Sequence, residues 1–220
     1  MITVNNIFEC RPMRVFLLLF SLISLSASAQ TDTLIGRKVI TNARMISLGA
    51  IDILDTYLSP EKYTGAELRY ISHPIRRHEE RKWSQMIVHQ GSIAQAGNRS
   101  GIGSEIAGRY QFSYGWHLNW QPIADRLQLK AGGMIDADLG FIYNTRNGNN
   151  PAQALAALNQ TPSVATCYRL MIKRRAIDVS LEAEIPLIGL RFSPNYGQSY
   201  YELFAKGNYD HNIVPTFIGN

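Results

Sequence analysis

Three groups of residues have types and spacings that invite a chemical reading. Ser113 and His117 lie two same-face positions apart in a segment of period two. A serine and a base, with a carboxylate or amide to orient the base, would make a hydrolase. A hydrolase acting on membrane lipid needs that site on its lipid-facing wall, whereas both residues fall on the polar face. No catalytic residue is therefore assigned, and the same holds for the weaker set His211, Asp210 and Ser199. His73 and His78 are five apart in a charged stretch with no further Cys or His at ligand spacing, so no metal is expected. Gly101-Ile102-Gly103 opens no helix and is not a dinucleotide fingerprint, so no cofactor is expected. The third group is Glu105, Arg109, Asp136, Asp138, Arg169, Asp178, Glu182 and Glu184, acids and bases sharing the polar face of alternating segments. Such charges either line a path for small solutes or neutralise one another in an interior filled by side chains. About eight strands give the filled kind, and wider barrels conduct.

The segments that carry these charges read as strands. In Ser104–Trp120 the even positions carry Ile106, Tyr110, Phe112, Tyr114, Trp116, Leu118 and Trp120, and the odd ones Glu105, Arg109, Gln111, Ser113, His117 and Asn119. Successive strand residues point to opposite faces, so one face is aromatic and apolar and the other polar. A second alternation runs from Leu127 to Tyr143, with Met134 and Ile142 as its exceptions. Pairing Trp120 with Leu127 keeps the two in phase and sets His117 opposite Lys130 and Arg109 opposite Asp138; a one-residue slip would mismatch the faces. Val164–Lys173 and Ile177–Ile185 form a second in-phase hairpin, turning at Arg174-Arg175 with Arg169 diagonal to Asp178 and Glu182.

Elsewhere the pattern is looser. Gln30–Gly36 reads as a polar leader and Arg37–Ala50 as a first strand. Tyr63–Ser72 and Trp83–Ala94 are strands, separated by the charged connection His73–Lys82, which Pro74 keeps out of a central strand. Asn149-Asn150-Pro151 followed by Ala152–Leu158 reads as a capped helical turn or two inside a long loop, Thr145–Ser163. Leu187–Ser193 continues a strand through a bend at Pro186, Tyr200–Lys206 is a further strand, and Gly207–Asn220 has no clear pattern. Short turns alternate with the long loops Ile51–Lys62, Gln95–Gly103 and Thr145–Ser163, as in outer-membrane barrels. Trp116, Trp120, Phe141 and Tyr143 suit aromatic girdles at the membrane boundary.

The start of the chain indicates export. Met13-Arg14 precedes a short apolar run, Val15–Ile23, and Ala27-Ser28-Ala29 supplies a cleavage signal, so residues 1–29 read as a signal peptide and 30–220 as one domain. Met13 is the expected true start. Cys10 precedes the apolar run and so cannot be a lipidated cysteine, and Cys167 alone remains after cleavage, which excludes an internal disulfide. Removing Arg11, Arg14 and Glu9 with the leader takes the formal charge from +5 to +4. No basic run interleaved with aromatics is present, so no nucleic-acid partner is expected.

Several motifs carry a resemblance. They are Ile53–Pro60 with Tyr63–Arg69, Asn144–Ala152, Phe192–Glu202 and Gly207–Asn212. Together they resemble an uncharacterised domain-of-unknown-function family of outer-membrane barrels from Bacteroides-like Gram-negative bacteria. The resemblance implies no activity and no catalytic residue. It also implies a longer C-terminus, so the chain reads as C-terminally truncated.

The fold expected is therefore all-β, an antiparallel up-and-down transmembrane barrel of about eight strands behind a cleaved signal peptide. The function expected is a non-enzymatic outer-membrane barrel, structural or passing small solutes, with outer-membrane lipid and the barrel-assembly machinery as partners. An outer-membrane lipid hydrolase is one alternative. The other is a periplasmic lipocalin-like ligand-binding barrel, which would turn its apolar face inward.

Overall fold

The computed structural model describes residues 29–35, 38–78, 82–124, 126–148, 150–173, 175–194, 198–207 and 211–218. The expected signal peptide, with Met13 and Cys10, lies outside them save for Ala29. The described strands are β1 Ala29–Ile35, β2 Lys38–Ile53, β3 Tyr63–His78, β4 Trp83–Asn98, β5 Ser104–Ile123, β6 Leu127–Asn144, β7 Ala152–Ile172, β8 Arg175–Glu184, β9 Ile188–Phe192 and β10 Ile213–Phe217. Among the described residues the one helix, α1, spans Tyr200–Ala205. The chain is all-β and forms one antiparallel sheet in sequence order from β1 to β7. β8 and β9 then lie one after the other along β7, and β10 lies on β9. Among the described residues no ladder joins the edge formed by β1 and β2 to the edge formed by β8 and β10, so the sheet is not hydrogen-bonded shut.

Both faces of the rolled sheet follow the alternation. Glu105, Ser113, His117, Asn119, Asp136, Asp138, Asn144, Thr161 and Ser163 are buried, while Ile106, Trp116, Trp120, Ile135, Leu139, Phe141 and Val164 are exposed. The polar face is thus the inside and the apolar face the outside. Met134 and Ile142, the two apolar exceptions on the polar face, are buried inside as well.

The β5–β6 hairpin keeps its faces but not the expected register. Trp120 pairs with Leu129 and His117 with Gly132, two residues away from the expected ladder. β5 runs on past Trp120 through a bulge to Ile123, which shortens the turn to residues 124–126. A slip of two leaves every side chain on its face, so alternation cannot detect it. The β7–β8 hairpin also differs by two, with Ile172 opposite Arg175 and Lys173 taking the left-handed conformation (φ 57°) in the turn.

Five other expectations are corrected. Residues 152–158 are the start of β7 rather than a helix, because all of them pair with β6 and Ala156–Leu158 pair with β9 as well. Helix propensity, high in this Ala-rich run, is a weak prior that yields where the backbone edges find ladders. Tyr200–Ala205 is a helix rather than a strand: Ser199 and Glu202 form a reciprocal capping box. The leader contains β1, paired with β2, and β10 lies within the stretch that showed no pattern. Pro74 lies within β3, opposite Asn42 of β2, and the β3–β4 ladder is interrupted at residues 73–74, where the missing N–H falls.

One device at Pro186 deserves its physical reason. Apolar residues are odd-numbered in β8 (Ile177, Val179, Leu181) and even-numbered in β9 (Ile188, Leu190, Phe192). The pairing with β7 shifts by one residue across 185–187, from Ser163–Glu184 to Gln160–Ile188. That single extra residue returns the apolar set to the outside, as bulges do. The connections also sort by end: those at 36–37, 79–82, 124–126 and 173–174 are short, and the longer ones at 54–62, 99–103, 145–151 and 193–212 belong to the opposite end.

Candidate functional site

Of the eight charges expected on the polar face, Glu105, Asp136 and Asp138 are buried while Arg109, Arg169, Asp178, Glu182 and Glu184 are exposed, and their geometry decides what they can do. Near mid-height Arg109 of β5 donates through Nε (3.0 Å) and through a second nitrogen (2.8 Å) to Asp138 Oδ1. These two are diagonal rather than opposite, since Arg109 pairs with Gly140 and Asp138 with Gln111. Asn159 of β7 donates to the other Asp138 oxygen. Asp138 is buried whereas the Arg109 side chain is half exposed, so the arginine chiefly compensates a carboxylate that water does not reach. Arg169 and Asp178 stand directly opposite on β7 and β8 and make a paired contact of 2.7 and 2.9 Å.

Toward the short-turn end lies the residue pair closest to a catalytic arrangement. His117 Nε2 is in hydrogen-bond contact with Ser163 Oγ, and both are buried. The partner is Ser163 of β7 and not Ser113, because His117 lies opposite Gly132 and Gly132 opposite Ser163, with no side chain between them. His117 Nδ1 has no hydrogen-bond partner among the described residues. The pair therefore lacks the orienting group that nucleophilic catalysis needs. Asp136 accepts from Thr161, and its second oxygen is likewise unpartnered. Glu184 stands opposite Ser163, and Glu182 lies 3.8 Å from His73 Nδ1 of β3. That last contact spans the interior, joining two strands far apart in the sheet.

The long-loop end is closed by packing. Asn144 donates to Glu105 Oε1 (2.9 Å) and to Tyr63 Oη (3.1 Å). Ile53, Tyr57, Leu58, Tyr63, Ala96 and Ile142 make an apolar cluster there, against which Tyr200 of α1 packs. Tyr57 donates to the Gln198 carbonyl (2.8 Å), Asn147 to the Leu58 carbonyl (3.2 Å), and the Ala154 amide to Tyr200 Oη (2.7 Å). Three of the long connections are thus tied into one cap. Burial raises the carboxyl pKa of Asp55, against hydrogen bonds from the Tyr57 and Leu58 amides that lower it. Burial also raises the phenols of Tyr57 and Tyr200, helped by the nearby Asp55 charge. The other end keeps a cavity of about 290 Å³ lined by Arg77, Arg126, Cys167, Arg169 and Asp178 among others.

On the outside, Trp116 and Trp120 lie toward the short turns and Phe141 and Tyr143 toward the long loops, all exposed. Trp83, opposite Leu118, joins the first pair. Among the described residues no group of His, Cys, Asp and Glu could hold a metal ion. His73 is engaged inside, the side chain of His78 is outside the description, and so is Asp210 of the second serine–histidine set. The contacts made by Ser163, Thr161 and Asn159 leave no mark in the sequence, where residues 152–163 carry no clear alternation and read as helix and loop.

No curated protein and no solved structure matches this chain. The family model described as "Protein of unknown function (DUF3316)" matches residues 15–220. Nearly the whole chain is covered, and the protein belongs to that uncharacterised family.

Proposed function

We propose that the protein is a non-enzymatic β-barrel of a bacterial outer membrane, with a structural rather than a conducting role. The observation that carries this reading is the inverted distribution of side chains. Leu48, Leu139 and Leu181 are 62–78% exposed while Glu105 and His117 are fully buried. A soluble ligand-binding barrel has the reverse arrangement, apolar inside and polar outside. Strands of 16 to 21 residues from β2 to β7 exceed what a tilted crossing requires, about 9–11 residues. Aromatic side chains toward both ends of the apolar wall suit the two membrane–water boundaries.

The structural role follows from the interior. Its ion pairs join neighbouring strands, Arg109 with Asp138 and Arg169 with Asp178, and the three tied connections cover the long-loop end, so no continuous water path is needed to explain the polar residues. An enzymatic role draws no support from His117 and Ser163, which sit inside, away from lipid. The signal peptide and the outer-membrane address belong to this reading, with membrane lipid and the assembly machinery as partners.

The test is fractionation of the full-length product, with gel mobility compared before and after boiling. Recovery with the outer membrane and a heat-dependent shift are expected. A soluble periplasmic protein without a shift would overturn the reading. Conductance in planar bilayers should stay at background, and clear single-channel steps would replace the structural role with passage of solutes.

A further inference from the structure

We infer that the sheet closes as a barrel of eight rows, the eighth shared end to end by β1 in its short-turn half and β10 in its long-loop half. This inference rests on the barrel reading above and specifies its seam.

The two edges are each half filled, in opposite halves. β1 covers only Lys38–Arg44 of β2, which leaves Met45–Ile53 without a neighbour on that side among the described residues. At the other edge β10 covers β9, which leaves β8 paired to β7 alone. β1 runs down into the short turn 36–37, and β10 runs down from the long connection 193–212. Both therefore run antiparallel to β2, β8 and β9. Each has the direction needed by the vacant half of the opposite edge: β1 beside β8, and β10 beside the upper half of β2. Counting β8 with β9, and β1 with β10, the rows number eight, the even count typical of bacterial outer-membrane barrels.

Two contacts bring these edges round toward each other. His73 of β3 meets Glu182 of β8 at 3.8 Å, and Tyr57 of the β2–β3 connection donates to Gln198 of the β9–β10 connection. The register then gives a quantitative check. The ladder starting at Ala29 passes through Arg44, Ser72, His89, Phe112, Ala137, Leu158 and Leu190 to Pro215. In a closed barrel that ladder returns to its own row displaced by the shear. An even displacement keeps the pleat in phase, and eight rows of another barrel class close with a shear of about 8.

The direction of the displacement is set by the exposed band. On β2 that band includes Ile46 and Leu48, and the ladder from Leu48 reaches β7 at Ala154, well above Val164. The ladder thus climbs toward the long loops as it goes round, which sets Pro215 above Ala29. With that displacement, and with the one-residue shift at 185–187, Thr31 comes beside Val179 and Ile35 beside Arg175. The turns 36–37 and 173–174 then fall at one level. Thr216 comes beside Ile51 and Phe217 beside Ala50. Both pairings land inside the vacant stretches. The physical drive is that unpaired backbone groups have no water to bond to within a membrane.

Disulfide trapping in the full-length protein, assembled in the outer membrane with Cys10 and Cys167 replaced by serine, tests the seam. One variant carries Thr31→Cys and Val179→Cys, the other Thr216→Cys and Ile51→Cys, and each is flanked by second-partner positions two residues to either side (177 and 181; 49 and 53). Intramolecular cross-linking of most of the chain is expected for one partner position in each series. The cysteine-free background reports the barrel independently through its heat-dependent mobility. A mobility shift with cross-links in neither or only one series overturns the split row and leaves the barrel standing. Cross-links only between two copies overturn it too, because a second copy then supplies the missing half-rows. Loss of both the shift and the cross-links removes the barrel and the seam together.

Discussion

Asp55 shows how one side chain couples the cap to its surroundings. Its carboxyl is held above the ordinary range by burial, the effect that outweighs the two amide hydrogen bonds. A raised pKa in the folded cap means that the folded state binds a proton the open state has lost. The corresponding stability is full at pH below the ordinary carboxylate value and is lost as pH rises through the folded pKa. Hydrogen-exchange protection of the Tyr57 and Leu58 amides should therefore decline across that window. Asp55→Asn, which keeps an acceptor for the Tyr57 amide without a charge to bury, should flatten the profile. Protection that rises with pH through the same window would contradict this account. The interior charges were legible from alternation, since Glu105, Asp136 and Asp138 are all buried on the face read as polar. Their partners were not, because a diagonal contact such as Arg109–Asp138 depends on register.

At the scale of elements, the β5–β6 hairpin depends on a residue that a pattern of apolar and polar positions ignores. A Cβ added to Gly132 would lie 2.0 Å from the Trp116 carbonyl oxygen and 2.8 Å from the His117 Cα. Backbone cannot give way there as a flexible side chain would, so Gly132→Val should prevent the two strands from pairing. At Gly133, one residue on, an added Cβ meets nothing within 4 Å. Gly133→Ala should assemble normally, with the heat-dependent mobility shift intact, while Gly132→Val should lose that shift. Equal behaviour of the two variants would mean that the strands are not paired as described. Strand existence was readable for β5 and β6, whose long alternation has no helical equivalent. It was misread at Ala152–Leu158 and Tyr200–Ala205. The first becomes strand through its pairing with β6, joined by β9 from Ala156 on, and the second becomes helix through the Ser199–Glu202 cap, a local signal that alternation does not register.

For the whole molecule the decisive property is which solvent the outer wall meets. Leu139 is 62% exposed on that wall. In water, replacing such a residue usually changes stability by no more than about 0.5 kcal/mol. Against hydrocarbon near the bilayer midplane an arginine costs about 2–4 kcal/mol. Leu139→Arg should therefore lower the unfolding free energy, measured by urea titration in lipid vesicles, by an amount in the second range. A change near zero would mean that this wall faces water. Among the described residues no helix is long and apolar enough to cross a membrane.

What the amino-acid order determined by itself is the two-faced strand and the face each side chain takes, because a period of two is a local property that survives any slip of two residues. Tertiary structure alone decided the register, the extent of β7 and the partners inside. It also decided the phase change at Pro186, where the extra residue is accommodated only because β7 offers a ladder on either side of it. Those features depend on which backbone edges meet, and edges belonging to distant strands leave no periodic trace in the chain.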